Sequence, residues 1–388
     1  MITHAGKRLV MPQVKEVFKG KFPKGHVNDV KGWNFSKAEL QEAAKDGRML
    51  AMDLDMPGGV SCSLRCKHCF NPVGELRKGG RLLSHRQILR LVDEAKDLGL
   101  RSVKIIGPGE PLEERQLLGF LDYLLKSGIQ PLIFTKGGAL LDSQRSRRLF
   151  DMGHYYLARE LNDMGVSILY GLNSFNPELQ AAIVGRAWYP GIRNLNIEML
   201  VECGFNRYVP GEPTRLALIP NPMLKSNIDE QVAIYKWARR RNMYTVAAPP
   251  MVSGACSRGD VLQAMMPSEE ELLDVYTQIN LWALKNRVIS PKDLLEDGIS
   301  VYAGVQSCQQ LGIGLFMRRD GLALRCPGDD VSIQGKYPDQ SLAEIWKKSE
   351  NLKIYAGRDD YGCPPKEGRS IPSGFIERVL ERVKARLA

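Results

Sequence analysis

The sequence predicts an α/β chain: an open, partial (β/α)6 barrel of the TIM type, followed by a small α+β region. Two observations carry that prediction. Between residues 49 and 250, short β-branched or apolar runs alternate about six times with helical stretches. After residue 256 the alternation stops, and a long capped helix, a hairpin signal and an amphipathic terminal stretch take its place. Strands alternating with helices imply a parallel sheet with helices outside it. Six units are too few to close an eight-stranded barrel but suit a partial one.

Taken in order, residues 1–48 are basic and mixed, with Trp33 and Phe35 as candidate anchors of an N-terminal extension. Leu50–Asp55 reads as a strand in which apolar and acidic residues alternate towards the end, and Pro57-Gly58-Gly59 is the loop after it. Ser84 and Gln87 form a capping box. The helix they open carries Ile88, Leu91, Val92 and Ala95 on one stripe and stops at Gly99. Val103–Ile106 is a second strand ending at Gly107; Leu117, Leu118, Leu121 and Leu125 mark the next helix, closed by Gly128. Leu132–Thr135 is a third strand, with Lys136-Gly137-Gly138 as its turn. Val166–Leu172, Leu216–Ile219 and Tyr244–Ala248 complete the strands, with helices over Ile192–Cys203 and Ile228–Arg241. Ser268 and Glu271 box a helix running to about Asn286. Phe316–Arg319 and Leu322–Arg325 flank Asp320-Gly321 as a hairpin. Ser341–Leu352 reads as helical and Phe375–Leu387 as an amphipathic terminal helix. The expected units are an extension (1–48), the barrel (49–255), a helical connection (256–305) and a small C-terminal domain (306–388).

Composition narrows the function classes. With 44% apolar and 25% charged residues, the chain has the make-up of an ordinary globular protein. No apolar run approaches the ~18 residues of a membrane span, and Met1–Arg8 lacks the apolar stretch of a signal peptide. The expectation is a cytoplasmic protein with no membrane partner. The formal charge of +10 is spread out, dense only at Arg239–Arg241, and reads as a solvated basic surface. An anionic small molecule suits it better than nucleic acid. Eight cysteines in a chain of this kind argue against a disulfide framework. Three of them fall within eight residues and three more in the last quarter, which points to metal or redox chemistry.

The first group is Cys62-Ser63-Leu64-Arg65-Cys66-Lys67-His68-Cys69. Three thiolates on a tight loop suit an iron–sulfur cube and leave one iron without a protein ligand. Zinc is the rival, because Cys66-Lys67-His68-Cys69 is similar to half a zinc knuckle. A structural zinc needs a fourth ligand and usually a second cysteine pair nearby, and none follows within the next hundred residues. A non-catalytic zinc-binding or nucleic-acid-binding protein is therefore the alternative class.

The C-x3-C-x2-C spacing just after a first strand resembles the signature of the radical S-adenosylmethionine (SAM) superfamily. His68 stands where that family usually has an aromatic residue near the SAM adenine. Gly107-Pro108-Gly109-Glu110-Pro111 resembles the family's G-G-E-P motif, with Pro108 in place of a glycine. The resemblance implies that Glu110 accepts a hydrogen bond from the SAM ammonium. Thr135-Lys136-Gly137 is similar to the T-N-G that closes the third strand. Asn173-Ser174 match positions that contact the SAM ribose or carboxylate, and Ala247 and Ala248 match a flank of the adenine.

Further on, Cys308, the turn glycine Gly321, Cys326 and Cys363 resemble the twitch module, the shortened form of the SPASM extension. That likeness implies an auxiliary [4Fe-4S] cluster on Cys308, Cys326 and Cys363. Its fourth iron is either open to substrate or held by Cys256. Cys203, on a helix, reads as a buried core cysteine. The family resemblance implies a radical SAM enzyme, of oxidoreductase or lyase type, with a catalytic [4Fe-4S] cluster on Cys62, Cys66 and Cys69. It would reductively cleave SAM to a 5'-deoxyadenosyl radical, fed by an electron donor such as flavodoxin or ferredoxin. The expected substrate is a small molecule (sugar, aminocyclitol, nucleoside or nucleotide) that is dehydrogenated or rearranged. Peptide modification is the runner-up, and about 48 N-terminal residues are few for a leader-peptide domain.

Overall fold

The computed structural model describes residues 2–4, 7–56, 61–70 and 82–387. The expected loop at Pro57-Gly58-Gly59 lies outside them. A small hairpin, β1 (Ile2–His4) and β2 (Lys7–Leu9), comes first. Six strands then pair in parallel and in chain order: β3 (Ala51–Asp55), β4 (Ser102–Gly107), β5 (Gln130–Thr135), β6 (Ser167–Gly171), β7 (Leu216–Ile219) and β8 (Tyr244–Thr245). These are the six strands of the expected partial barrel.

The C-terminal hairpin does not stand apart from them. β9 (Gly314–Met317) joins β3 in parallel, and β10 (Leu322–Leu324) and β11 (Ile333–Lys336) follow antiparallel. Among the described residues the sheet runs β11-β10-β9-β3-β4-β5-β6-β7-β8. Gly314 makes the junction possible, since a Cβ there would fall 1.6 Å from the Ala51 carbonyl oxygen. The sheet thus crosses the expected boundary at residue 305.

Strand side chains alternate between faces, and that alternation builds two cores. Met52, Leu54, Val103, Ile105, Ile133, Ile168 and Leu218 face outwards and meet Ile88, Leu91, Phe120, Leu157 and Ile234 of the covering helices. Leu132, Leu169, Ala217 and Ile219 face inwards. Each such side chain, fully buried, stabilises the fold by about 1.5–3 kcal/mol. The expected boxes at Ser84 and Ser268 form, and Ser341 is boxed in the same way, each serine accepting from the backbone three residues on. The terminal helix spans Phe375–Leu387, with Phe375 packed 5.1 Å from the Tyr276 ring.

The last barrel strand is shorter than its apolar run. The Ala247 carbonyl accepts from Ala303 and the Ala248 carbonyl from Met223, so these residues serve loops instead of the ladder. Within the described barrel region three helices were not read from the sequence: Ser143–Phe150, His154–Asp163 and Pro177–Val184. Two of them carry a start signal, with Asp142 capping Arg145 and Asn176 capping Leu179 ahead of Pro177.

The N-terminal extension closes the barrel end where the strands begin. Lys31 donates its N–H to the Thr214 carbonyl and accepts from Ser167 Oγ at 2.8 Å. Gly32, at φ +88°, lies so close that a Cβ would fall 2.6 Å from Gln130. Trp33 then enters the barrel, its ring 5.8 Å from Phe134. Phe35 anchors a separate cluster with Leu40, Leu50 and Ile313. Among the described residues no helix is long and apolar enough to cross a membrane.

Candidate active site

The first cysteine loop sits at the C-terminal ends of the parallel strands, where ligands of such sheets bind. Cys62, Cys66 and Cys69 form no disulfide and line one pocket with His68, Glu110 and Lys136. Their loop is held from several sides. The N–H groups of Arg65 and Lys67 donate to the carbonyls of Val184 and Ile183, and the Cys69 carbonyl accepts from Ala255. Arg186 Nε donates to the Ser63 carbonyl at 2.6 Å, and Arg145 bridges Ser63 Oγ (3.1 Å) and Glu113 (3.2 Å). Glu113, Arg145 and Arg186 were not singled out from the sequence; they are distant from the loop in the chain, and no local signal marks them.

The Gly107-to-Pro111 turn meets this loop directly. The Glu110 N–H donates to the Ser61 carbonyl at 2.8 Å. Gly109 has φ +88°, and a Cβ there would sit 2.3 Å from the same oxygen, so only glycine fits. The Glu110 carboxylate accepts from the Thr135 hydroxyl, from Lys136 N (2.9 Å) and from Leu112 N (3.1 Å), and burial pushes its pKa up to about 7. It thereby ties the end of β4 to the end of β5. His68 carries an inaccessible Nδ1 with no partner among the described residues. Burial, and then the Lys136 charge, lower its pKa to about 3 and keep the ring neutral.

Of the expected SAM-contacting residues, His68, Gly109, Glu110 and Thr135 line the pocket. Five others are used elsewhere. The Gly107 carbonyl accepts from Met56, and Pro111 opens a short turn of 3-10 helix. Asn173 Oδ1 accepts from Lys136 Nζ (3.0 Å) and Gln180 (3.3 Å), while Ser174 Oγ donates to Glu230 at 2.6 Å. Both are fully buried behind the wall, and Lys136 and Asn221 line the pocket in their place. Ala247 packs in the inner core, and Ile219, Pro222, Pro249 and Met251 form that side of the pocket.

Cys308, Cys326 and Cys363 come together and line a second cavity with Tyr302 and Lys366. The Tyr302 hydroxyl donates to Cys308 Sγ at 3.6 Å, and Lys366 Nζ donates to the Pro249 carbonyl at 2.8 Å. Burial and then the neighbouring thiols Cys363 and Cys308 push the Cys326 thiol well up; burial raises Cys363 to about 11 against the opposing Lys366 charge. Three crowded thiolates need positive charge between them, which iron supplies, so the donor set fits a cluster. Cys256 is not among them: it packs with Val252 and Leu262 in an apolar cluster. Cys203 sits at the edge of the outer core. Among the described residues no three His, Cys, Asp or Glu side chains converge on a point that a single ion could occupy.

Comparison with known proteins bears on the same stretch. The radical SAM superfamily model matches residues 56–243. GTP 3',8-cyclase of Desulforamulus reducens is 28% identical over 120 residues, 30% of this chain and 33% of that protein. PqqA peptide cyclase of Granulibacter bethesdensis is 31% identical over 105 residues, 27% of either chain. The matched region thus spans about a third or less of these relatives' length. Streptococcus suis SuiB bound to S-adenosylmethionine shares the fold, with a TM-score of 0.53 at 12% identity over 87% of this chain and 78% of that one. The matched residues run from the end of β3 through the helix before β8, and this stretch, which bears the first cysteine trio, is a radical SAM domain.

Proposed function

We propose that Cys62, Cys66 and Cys69 hold the catalytic [4Fe-4S] cluster and that Cys308, Cys326 and Cys363 hold an auxiliary one. The space between them would receive a small polar molecule that is dehydrogenated or rearranged. One observation carries this reading: the two cysteine-lined cavities share Phe70, Ile106, Phe134 and Met251 as walls, so a molecule seated there meets both sites. Bound there, the cluster and SAM supply reductive cleavage of a sulfur–carbon bond, yielding a 5'-deoxyadenosyl radical. The chain's own residues bind, orient and exclude water. Gly109 allows close backbone approach, Glu110 offers its remaining lone pairs to the SAM ammonium, and His68 presents a neutral ring. The shared apolar wall keeps solvent away from the reacting atoms. With Cys203 and Cys256 placed elsewhere, no cysteine is left for the fourth auxiliary iron, which favours substrate contact over a fully thiolate-held cluster. The electron would come from a small donor protein such as flavodoxin or ferredoxin.

Glu110→Gln keeps size and removes charge. It should weaken SAM binding about tenfold or more, the cost of a charge-assisted hydrogen bond, while iron content stays at the wild-type level. Equilibrium SAM binding to the reconstituted protein checks this, and an unchanged affinity would leave Glu110 as a purely structural tie.

The names of the two relatives point to different substrates, a nucleotide and a peptide. The N-terminal residues 10–35 are bonded along the barrel, which weighs against their acting as a separate peptide-binding unit. A metabolite extract freed of macromolecules should raise 5'-deoxyadenosine formation above the rate with SAM alone. The rise should survive treatment of the extract with a broad peptidase; its loss would assign the enzyme to peptides.

A further inference from the structure

Inside the barrel, beneath the shared wall, two strands place opposite charges side by side. Asp53 of β3 pairs in register with Lys104 of β4, and both side chains point inwards, each residue 4% exposed. They stop short of one another: Lys104 Nζ lies 3.9 Å from Asp53 Oδ1. The ammonium donates to Gln310 Oε1 at 2.9 Å and lies 4.5 Å from the centre of the Trp33 ring. Among the described residues Asp53 Oδ1 accepts no hydrogen bond, and Gln310 Nε2 donates none. Asp53, Lys104, Gln310 and Trp33 all line the cavity that holds the second cysteine trio.

A buried ion pair kept for stability closes to contact and satisfies its remaining lone pairs and protons. This one is left open, with an acceptor, a donor and a partly used ammonium facing one space. Unpartnered buried polar groups of this kind are costly unless something else completes them. A hydroxyl does so, because it donates to Asp53 and accepts from Lys104. A neighbouring hydroxyl can take the Gln310 N–H, and an amine in either place donates to Asp53.

Charge and shape narrow the class further. Among the described residues the lining cations are Lys104, offset by Asp53, and Lys366, which faces the three thiols. Among the described residues no arginine fork lines the cavity to take a phosphate. Trp33 and the Lys31 plug close the floor, so an extended chain cannot thread through. We propose that Asp53, Lys104 and Gln310 form the substrate-recognition floor and take adjacent hydroxyls, or a hydroxyl and an amine, of a sugar or aminocyclitol in preference to a nucleotide or peptide. This rests on the reading of the shared cavity as the substrate chamber.

The test uses the full chain, reconstituted anaerobically with iron and sulfide and saturated with SAM. D-Glucosamine, myo-inositol and GTP are titrated by calorimetry. At least one polyol should bind in the millimolar range, and Asp53→Asn or Lys104→Met should each weaken it about tenfold. GTP should bind no better than the polyols, and its binding should not respond to either substitution. The double variant Asp53→Asn/Lys104→Met leaves no bare buried charge; it should melt like wild type and still lack the polyol response. No polyol binding by wild type, equal binding by the variants, or GTP binding that Asp53→Asn abolishes would each overturn the assignment. Iron content and 5'-deoxyadenosine formation without any probe are read on the same wild-type preparation. Their absence removes the cofactor assignment, whereas their presence without a polyol response removes only this inference.

Discussion

Replacing Cys62, Cys66 and Cys69 together by Ala should strip about four irons from each chain and abolish 5'-deoxyadenosine formation. The effect is large because nothing else can take their place: no other cysteine lines that pocket. It should also be local. The loop is held by its backbone and by Arg145, Arg186 and Glu113, none of which depends on the sulfurs. Cys62 is exposed and the other two are half-buried, so truncation removes little packing. Circular dichroism should therefore match wild type. Iron analysis and product chromatography check the rest; full activity in the triple variant would remove the basis of the catalytic assignment.

The second large effect is expected at Cys308, Cys326 and Cys363. Wild-type protein should carry about eight irons, and the triple Ala variant about four. That variant should still cleave SAM slowly but fail to turn over substrate, since its first trio is untouched. Here a structural cost is expected as well. Cys308 and Cys363 pack against the inner core, and Tyr302 loses its hydrogen-bond acceptor, so the variant should melt below wild type. The iron count separates the two effects. About four irons in wild type, or no loss in the variant, would leave the C-terminal region without a cluster.

What could be read from the sequence had local causes. Capping boxes, apolar stripes and turn glycines each lie within a few residues of the element they set, as at Ser84 with Gln87. The Cys62–Cys69 group is equally local. The second trio was legible through its resemblance to the twitch module, in which a turn glycine such as Gly321 stands between two of the cysteines. What escaped notice depends on register and on distant partners. Asp53 looked like ordinary strand alternation, and its meaning appears only when β3 pairs with β4 and puts Lys104 beside it. Asn173 and Ser174 have the right chemistry at the right strand end. Gln180 and Glu230, on later helices, had already claimed their side chains. The parallel pairing of β9 with β3 joins segments far apart in the chain and turns on one close approach at Gly314.

The most direct measurement is the fate of SAM with the anaerobically reconstituted, dithionite-reduced full chain. The expected result is 5'-deoxyadenosine and methionine in equal amounts from iron-loaded protein. An iron-loaded chain that leaves SAM intact, or a chain that takes up zinc in place of iron, would contradict it.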